Sequence, residues 1–362
     1  MKRESQRVIT AEHLEQELAM AISQMERDGI FILTDETTRD KCLPKIQTFR
    51  VLKNAVVITI PPTDEAKNTE SLCSVWKKLS DNGANRHSLM INLGGGMVTD
   101  LGGFAASTFK RGINFINIPT TLLAMVDASV GGKTGINFNG LKNEIGVFND
   151  SRFVILDTDF LNTLDSENIR SGYAEMIKHG LISDEKTWAQ LMNFDLAKPD
   201  FQVLKSMVAE SVKVKERIVE EDPLEKGIRK ALNLGHTIGH ALESFALERY
   251  ESGATKGKGY KPLMHGYAVA YGIMGELYLS AKKTGFPTDK MHQTVEFIKE
   301  NYGRFDFSCD DYNTLFELMK HDKKNSNGMI NFTLLGGIGD IIINQTATKE
   351  EIFEALDFIR EG

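Results

Sequence analysis

Short apolar runs alternate with helix-length segments along the first half of the chain. Five runs have the length and composition of buried β-strands, and several are followed closely by Asp or Gly. These runs are Ile30–Leu33, Val56–Ile60, Leu89–Leu93, Phe115–Ile118 and Phe153–Leu156. Helical segments such as Ser71–Leu79 lie between some of them. The alternation predicts an α/β domain, over residues 1–165, with a parallel sheet covered by helices.

The second half of the chain has a different pattern, in which helix-length segments predominate. Helices are predicted near Tyr173–Leu181, Phe201–Glu220, Lys230–Leu247, Gly266–Lys282, Met291–Asn301 and Tyr312–Met319. A short β pair, Met329–Leu335 and Asp340–Asn344, and a last helix, Lys349–Arg360, close the chain. We therefore expect a second, mainly α-helical domain over residues 166–362.

One of these helices is predicted to carry a polar stripe. Arg229, Asn233, His236 and His240 recur at i, i+4, i+7 and i+11, which places them on one helical face among residues typical of a core. Buried polar groups are costly unless they are paired or bind a ligand. Two histidines four residues apart can share a site. A surface stripe, or core histidines bonded to the backbone, is an interpretation that the pattern leaves open.

The composition narrows the functional classes. The chain has 362 residues, a formal charge of −7, 26% charged and 41% hydrophobic residues, which is typical of a two-domain globular protein. An acidic chain is a poor candidate for binding nucleic acid. No apolar run approaches the ~18 residues of a membrane span. The three cysteines are widely spaced, and the start lacks a signal-type apolar stretch, so we expect a cytoplasmic protein.

Two glycine-rich segments lie in the first half of the chain. The sequence L-G-G-G-M-V-T-D-L-G-G-F at 93–104 joins a strand to a helix, where glycines and a helix N-terminus favour a pyrophosphate. It indicates dinucleotide binding, although it lacks the G-x-G-x-x-G spacing and would also suit a tight turn. Gly131–Gly135 reads G-G-K-T-G but lacks the spacing of a P-loop, so we exclude an NTPase.

A carboxylate and a further histidine could complete a metal site. Glu175 lies three residues before Lys178, so the two could form a helix ion pair, or Glu175 could be a metal ligand. His265 begins a segment rich in small and apolar residues, where a histidine is more often a bonded core residue. Two histidines and one glutamate with an open fourth position form a catalytic zinc set. Spacing alone does not select Glu175, His236 and His265.

Eight segments taken together resemble the 3-dehydroquinate synthases, which belong to the sugar-phosphate cyclase family. The segments are 94–104, 111–112, 119–122, 126–135, 142–146, 174–180, 229–243 and 265–270, which span most of the chain. The sequence departs from the usual family pattern at three places: P-P-T-D-E-A-K at 61–67, N-F-N-G-L-K-N at 137–143 and H-G-Y-A-V-A at 265–270.

The resemblance implies a role for each matching residue. The ligands of Zn²⁺ or Co²⁺ would be Glu175, His236 and His265. The NAD-binding positions would be Asp64, Lys67, Gly95, Gly96, Asp100, Thr120, Thr121 and Lys142. The catalytic and substrate-contacting positions would be Arg111, Asp127, Lys133, Asn143, Lys178, Lys215, Arg229, Asn233 and His240. One of Lys323 and Lys324 would also reach the substrate, and Arg111 would come from the neighbouring subunit of a homodimer.

The resemblance also implies the reaction. The substrate would be a sugar phosphate, 3-deoxy-D-arabino-heptulosonate 7-phosphate, and the products 3-dehydroquinate and phosphate. NAD⁺ would take hydride from carbon 5, phosphate would leave, and NADH would return the hydride before ring opening and aldol closure. The metal would hold two vicinal hydroxyls. His240, or the substrate phosphate itself, would relay the proton.

The sequence leaves other functions open. A related cyclase could make a different carbocycle on the same scaffold. Metal-dependent polyol dehydrogenases share the two-domain plan, but would need fewer basic residues and would accumulate NADH. A non-catalytic NAD-binding regulator should have lost metal ligands, whereas all three are present here.

Overall fold

The computed structural model describes residues 6–139, 141–253, 262–320 and 330–361. The chain divides into two compact units. The first runs to Ile169 and also includes Phe201–Val212, and the second comprises Arg170–Asp200 and the chain from Lys213 onward. The assignment of functional domains to residues 1–165 and 166–362 stays a prediction.

The first unit is built on one parallel sheet. Its strands are β1 (Arg7–Thr10), β2 (Ile30–Asp35), β3 (Val56–Ile60), β4 (Leu89–Gly94), β5 (Asn114–Pro119) and β8 (Phe153–Leu156), in the order β1-β8-β5-β4-β2-β3. The helices are α1 (Leu14–Ser23), α2 (Glu36–Lys41), α3 (Leu43–Ile46), α4 (Thr69–Asp81) and α5 (Gly96–Thr108), and a separate hairpin consists of β6 (Lys133–Phe138) and β7 (Leu141–Phe148). All five predicted strands are confirmed, and β1 adds a sixth.

The sheet order explains where a ligand would bind in this unit. β4 is buried at every residue, as expected of a central parallel strand with both faces covered. β3 lies on one side of β2, and β4 lies on the other side, so the order in which strands are added to the sheet switches direction between β2 and β4. In folds of this kind, ligands bind near this switch, at the carboxyl ends of the strands. Gly102 of α5 has no room for a side chain, because a Cβ there would lie 2.1 Å from Oδ1 of Asn92 on β4. α5 therefore packs closely against β4.

The second unit is mainly helical, which confirms the predicted fold class. Its elements are α6 (Ser166–Leu181, which begins in the first unit), α7 (Glu185–Met192), α8 (Phe201–Glu221, shared in the same way), α9 (His236–Glu251), α10 (His265–Thr284), α11 (Thr288–Tyr302), α12 (Tyr312–Lys320), β9 (Asn331–Gly337), β10 (Asp340–Thr346) and α13 (Lys349–Glu361). β9 and β10 form an antiparallel pair. No helix in the described ranges combines the length and the hydrophobicity needed to cross a membrane.

The prediction of one continuous helix over Lys230–Leu247 is wrong. Residues Ile228–Asn233 form a 3₁₀ turn, and α9 begins only at His236. Between them, Leu234 is extended with ψ 128° and Gly235 is left-handed with φ 78°, a conformation that glycine adopts without strain. The polar stripe is therefore split by a sharp turn, and His236 lies at the first residue of its helix.

Close packing joins α9 and α10. A Cβ on Gly272 would lie 1.9 Å from the carbonyl oxygen of Gly235, and a Cβ on Gly239 would lie 2.8 Å from that of Ala268. Glycine at these positions lets the two backbones approach more closely than side chains would allow. The first turn of α9 is thereby held against α10.

Candidate functional site

Three side chains converge at the helix ends of the second unit. Glu175 comes from α6, and His236 and His265 are the first residues of α9 and α10. Glu175 Oε1 lies 3.4 Å from Nε2 of His236 and 3.3 Å from Nε2 of His265. One ligand atom from each residue lies within 4.8 Å of the other two, a spacing that suits a shared metal ion.

The other nitrogen of each imidazole is engaged away from this point. Nδ1 of His236 lies 3.1 Å from the carbonyl oxygen of Leu234. Nδ1 of His265 lies 3.1 Å from Oε2 of Glu243, a buried carboxylate on α9. When the Nδ1 proton is donated to these oxygens, Nε2 is left as the lone-pair donor on both rings. Both histidines thus present a ligand atom toward Glu175.

The charges around Glu175 favour its ionised form. Burial opposes ionisation, but the Lys178 ammonium, which contacts Oε2, and His236 outweigh burial and hold the pKa of Glu175 well below its usual range. For His265, burial favours the neutral ring, yet Glu243 and Glu175 raise its pKa to about 10, so a metal ion that binds Nε2 must displace a proton from it. Two imidazole nitrogens and an ionised carboxylate form a donor set that fits Zn²⁺ or Co²⁺.

His240 lies beside this cluster without belonging to it. Its ring centroid is 5.2 Å from that of His236 and 5.8 Å from that of His265. Among the described residues, His240 belongs to no group of three mutually close ligand atoms, whereas His236 and His265 form one with Glu175. His240 is half-buried on the same face of α9 as His236, one turn further along. The arrangement suits a proton carrier next to a metal better than a fourth ligand.

The predicted basic residues of this unit are buried. Lys178 and Arg229 are each 1% exposed, and Lys215 is 6% exposed. Arg229 Nη1 donates to the carbonyl oxygen of Pro223 at 2.7 Å, and its amide donates to Asp222, which also accepts two other backbone amides of this loop. These contacts hold Arg229 in the loop between α8 and α9.

A carboxylate that the sequence analysis did not select accompanies Asn233. Oε1 of Glu225 lies 3.3 Å from Nδ2 of Asn233, and Glu225 has a left-handed backbone with φ 59°. Such a conformation in a non-glycine residue is often retained at functional sites. Only the fold brings Glu225 to Asn233, because the two belong to a loop and a 3₁₀ turn without a shared periodicity. Lys323 and Lys324 lie outside the described residues.

In the first unit, the glycine-rich segment forms the start of α5. Gly95 and Gly96 begin this helix directly after β4, with no side-chain cap on its first amides, which is the arrangement that favours a phosphate group. Thr120 and Thr121 follow β5, whose last residue pairs with Gly94. The Thr120 hydroxyl is buried and makes no hydrogen bond within the described part of the chain. The backbone amides and this hydroxyl fit a bound dinucleotide.

A polar network joins other predicted residues of the first unit. Nζ of Lys67, a buried side chain, lies 2.5 Å from Oδ2 of Asp100 and 2.5 Å from Oδ1 of Asn143. Nζ of Lys142 lies 3.4 Å from Oδ2 of Asp64. Asn137, which the sequence analysis did not select, joins the two parts, since its Nδ2 donates to Asp64 and its Oδ1 accepts from the Asn143 amide.

The remaining predicted residues lie on turns and at a strand end. Asp127 lies in a π-helical turn, Ala124–Ala128, and such turns are frequent at functional sites. Lys133 begins β6 and is exposed. Arg111 is exposed and left-handed with φ 70°, directly after Lys110 with φ 52°. Two consecutive non-glycine residues in this region indicate local strain at Arg111.

Comparisons with known proteins identify the family. Residues 57–171 match the family described as 3-dehydroquinate synthase N-terminal, and residues 172–325 match 3-dehydroquinate synthase C-terminal. The chain is 54% identical over 357 residues to a 3-dehydroquinate synthase of Parabacteroides distasonis, covering 99% of this chain and 98% of the relative. It is 39% identical to the enzyme of Oceanobacillus iheyensis over 313 residues, 86% of this chain and 83% of the relative.

Solved structures of related cyclases share the fold. A 2-epi-5-epi-valiolone synthase from Streptomyces hygroscopicus, with NAD⁺ and Zn²⁺ bound, matches with a TM-score of 0.83 at 23% identity over 99% of this chain and 98% of that one. A 2-deoxy-scyllo-inosose synthase complexed with carbaglucose-6-phosphate, NAD⁺ and Co²⁺ matches with a TM-score of 0.82 at 24% identity, covering 98% and 96%. Because both family regions match and the relatives align along most of their length, the chain belongs to the 3-dehydroquinate synthase family.

Proposed function

We propose that this enzyme converts 3-deoxy-D-arabino-heptulosonate 7-phosphate to 3-dehydroquinate and phosphate with NAD⁺ and one divalent metal ion, and that Glu175, His236 and His265 ligate the metal. The observation that carries the proposal is the convergence of two Nε2 atoms and one ionised carboxylate in a member of this family. Zn²⁺ and Co²⁺ both suit this donor set.

The cofactors and the protein have separate tasks in this proposal. When bound, NAD⁺ supplies hydride acceptance and return, and the metal ion supplies Lewis-acid polarisation of the substrate hydroxyls. NAD⁺ is held in the first unit, where the start of α5 offers backbone amides to the pyrophosphate. Lys67, Asp100 and Asn143 form the adjoining polar network.

The cationic side chains bind the anionic groups of the substrate. Lys178, Lys215 and Arg229 are buried, so water competes little with their interactions, and a phosphate or carboxylate gains more than it would at an exposed lysine. Arg111, Asp127 and Lys133 are assigned to the substrate from the family resemblance. His240 transfers a proton during the reaction, and its half-buried imidazole near the proposed metal ligands suits this role.

We also propose that the enzyme is a cytoplasmic homodimer that pairs through β7. Support for the dimer comes from this strand, in which all eight residues are exposed, including Leu141 at 55% and Val147 at 39%. Such a strand edge is a template for pairing with another chain. Support for the location comes from the three free cysteines, which suit a reducing compartment.

The reaction is tested by turnover at trace NAD⁺. A cyclase returns the hydride to the carbon from which it came, so one NAD⁺ serves many cycles. We expect phosphate and a six-membered carbocycle to form in equal amounts, far in excess of the NAD⁺ added, without an increase in NADH absorbance. NADH formed mole for mole with substrate consumed would instead identify a dehydrogenase, and absence of both products would point to a cyclase for another sugar phosphate.

A further inference from the structure

A fully buried carboxylate on α10 caps the helix that begins with His236. Glu276 is 0% exposed. Its Oε2 accepts a hydrogen bond from the Gly235 amide at 2.7 Å, and its Oε1 accepts from the amides of Thr237 at 3.0 Å and Ile238 at 3.3 Å. One carboxylate thus binds three backbone amides around the first turn of α9.

These contacts replace a cap that the local sequence does not provide. The residue before α9 is Gly235, which has no side chain to accept a hydrogen bond from the first amides. A buried carboxylate is costly unless its oxygens are satisfied, and bonds from amides to an ionised oxygen are stronger than neutral ones. The helix dipole adds to this attraction. Glu276 and the start of α9 therefore stabilise each other.

The capped turn sets the position of the His236 side chain. Gly235 is left-handed, and the extended Leu234 before it turns its carbonyl oxygen to within 3.1 Å of His236 Nδ1. Glu276 binds the amides on both sides of His236, so it holds the backbone that determines this contact. The contact in turn directs Nε2 of the same ring toward Glu175.

We propose that Glu276 is a positioning residue for the metal site. It fixes the break before α9 and thereby keeps the His236 imidazole in the orientation that ligates a divalent cation. The inference rests on the proposed metal site and adds to it a carboxylate that lies outside the proposed ligand set. It acts through three backbone amides and one carbonyl group.

The packing of α10 supports this assignment. Gly272 lies one helical turn before Glu276, and a Cβ there would lie 1.9 Å from the Gly235 carbonyl oxygen. The absence of a side chain at Gly272 lets α9 approach α10 closely enough for the Glu276 side chain to reach the amides. The same face of α10 therefore supplies both the space and the acceptor for the turn.

The test is the affinity for Co²⁺, measured by competition with a chromophoric chelator and by the visible absorption of the bound ion. We choose Glu276→Gln because it keeps the size of the side chain but replaces one acceptor oxygen by an NH₂ group facing an amide donor. We expect the dissociation constant to rise about tenfold to a hundredfold, the range for partners that orient metal ligands, and the absorption spectrum to change.

Leu277→Ala is the matched control. Leu277 is the next residue on α10 and is also 0% exposed, so its truncation weakens the same helix without removing a hydrogen bond to α9. We expect Leu277→Ala to lower the Tm at least as much as Glu276→Gln while changing the Co²⁺ dissociation constant less than twofold. An equal loss of affinity in both variants would overturn the proposal, because loss of stability would then explain the effect.

His236→Ala separates this inference from the proposed function. If wild type binds one Co²⁺ and His236→Ala does not, the metal site stands, and unchanged affinity and spectrum in Glu276→Gln would overturn only the role of Glu276. If His236→Ala binds Co²⁺ as tightly as wild type, the proposed ligand set itself is wrong, and the role of Glu276 falls with it.

Discussion

At the residue scale, the three clustered histidines differ in what their nitrogens contact. His236 and His265 each direct one nitrogen to Glu175 and the other to an oxygen that fixes the ring. His240 contributes no atom to the Glu175, His236 and His265 ligand group, although its ring lies 5.2 Å from that of His236. Neighbouring residues of one type can therefore have different tasks.

This difference predicts separate effects of two substitutions. His265→Ala should lose most of its metal, because one of three protein ligands is removed. His240→Ala should keep its metal and lose about 10²–10⁴-fold in kcat, the usual contribution of a general acid or base. Metal content after gel filtration and steady-state kinetics measure the two effects. Equal metal loss in the two variants would make His240 a ligand.

Burial predicts a second contrast, between two cationic residues. Lys133 is exposed, so Lys133→Ala should change the free energy of unfolding by less than ~0.5 kcal/mol. Arg229 is 1% exposed and bonded to the Pro223 carbonyl group, so Arg229→Ala should cost roughly 1–3 kcal/mol. Both should reduce kcat/KM by orders of magnitude. Denaturant unfolding separates the cases, and full activity in either variant would contradict its assignment to the substrate.

At the element scale, the site depends on how closely α9 and α10 pack. The two helices each begin with a proposed ligand, and glycines on both helices lie at their contact. Glu276 from α10 caps α9, and Glu243 from α9 bonds His265 of α10, so each helix holds the ligand of the other. The relative position of the helices thus sets the distance between the two imidazoles.

Gly272→Ala should disturb this arrangement. The added methyl group would lie 1.9 Å from the Gly235 carbonyl oxygen, so the helices must separate, at a cost of about 1–3 kcal/mol. We expect a lower Tm and weaker Co²⁺ binding. Gly337→Ala is the control, because a Cβ there meets no atom within 4 Å, and it should leave both quantities near wild type. Unchanged metal affinity in Gly272→Ala would show that the site tolerates helix movement.

At the scale of the whole molecule, the proposed dimer can be tested through activity. Arg111→Ala and Lys133→Ala should each be nearly inactive alone. If Arg111 acts in the partner's site, mixed dimers contain one site with both residues intact, and mixing the variants should restore about a quarter of wild-type activity at random association. No recovery, with mixed dimers demonstrated by differently tagged subunits, would place Arg111 in the site of its own chain.

Local patterns in the sequence determined the elements and the candidate residues. Strands such as Leu89–Gly94 and helices such as α10 follow from apolar periodicity, which depends on near neighbours only. The combination of glycine, lysine and histidine motifs also identified the family, which the comparisons confirm. The individual roles of the site residues stay predictions.

Only the tertiary structure decided how the histidine segment is bent and what supports it. Periodicity predicted one helix through Gly235, because the four polar residues recur at helical spacing. The same spacing also occurs in a chain that is broken by one left-handed glycine, so periodicity does not distinguish the two cases. The acceptor that holds this break is 41 residues away in the sequence, at Glu276, and the partner of His265 is 22 residues away, at Glu243. Contacts at such separations depend on how helices pack, and helix packing is a property of the folded core that local patterns do not contain.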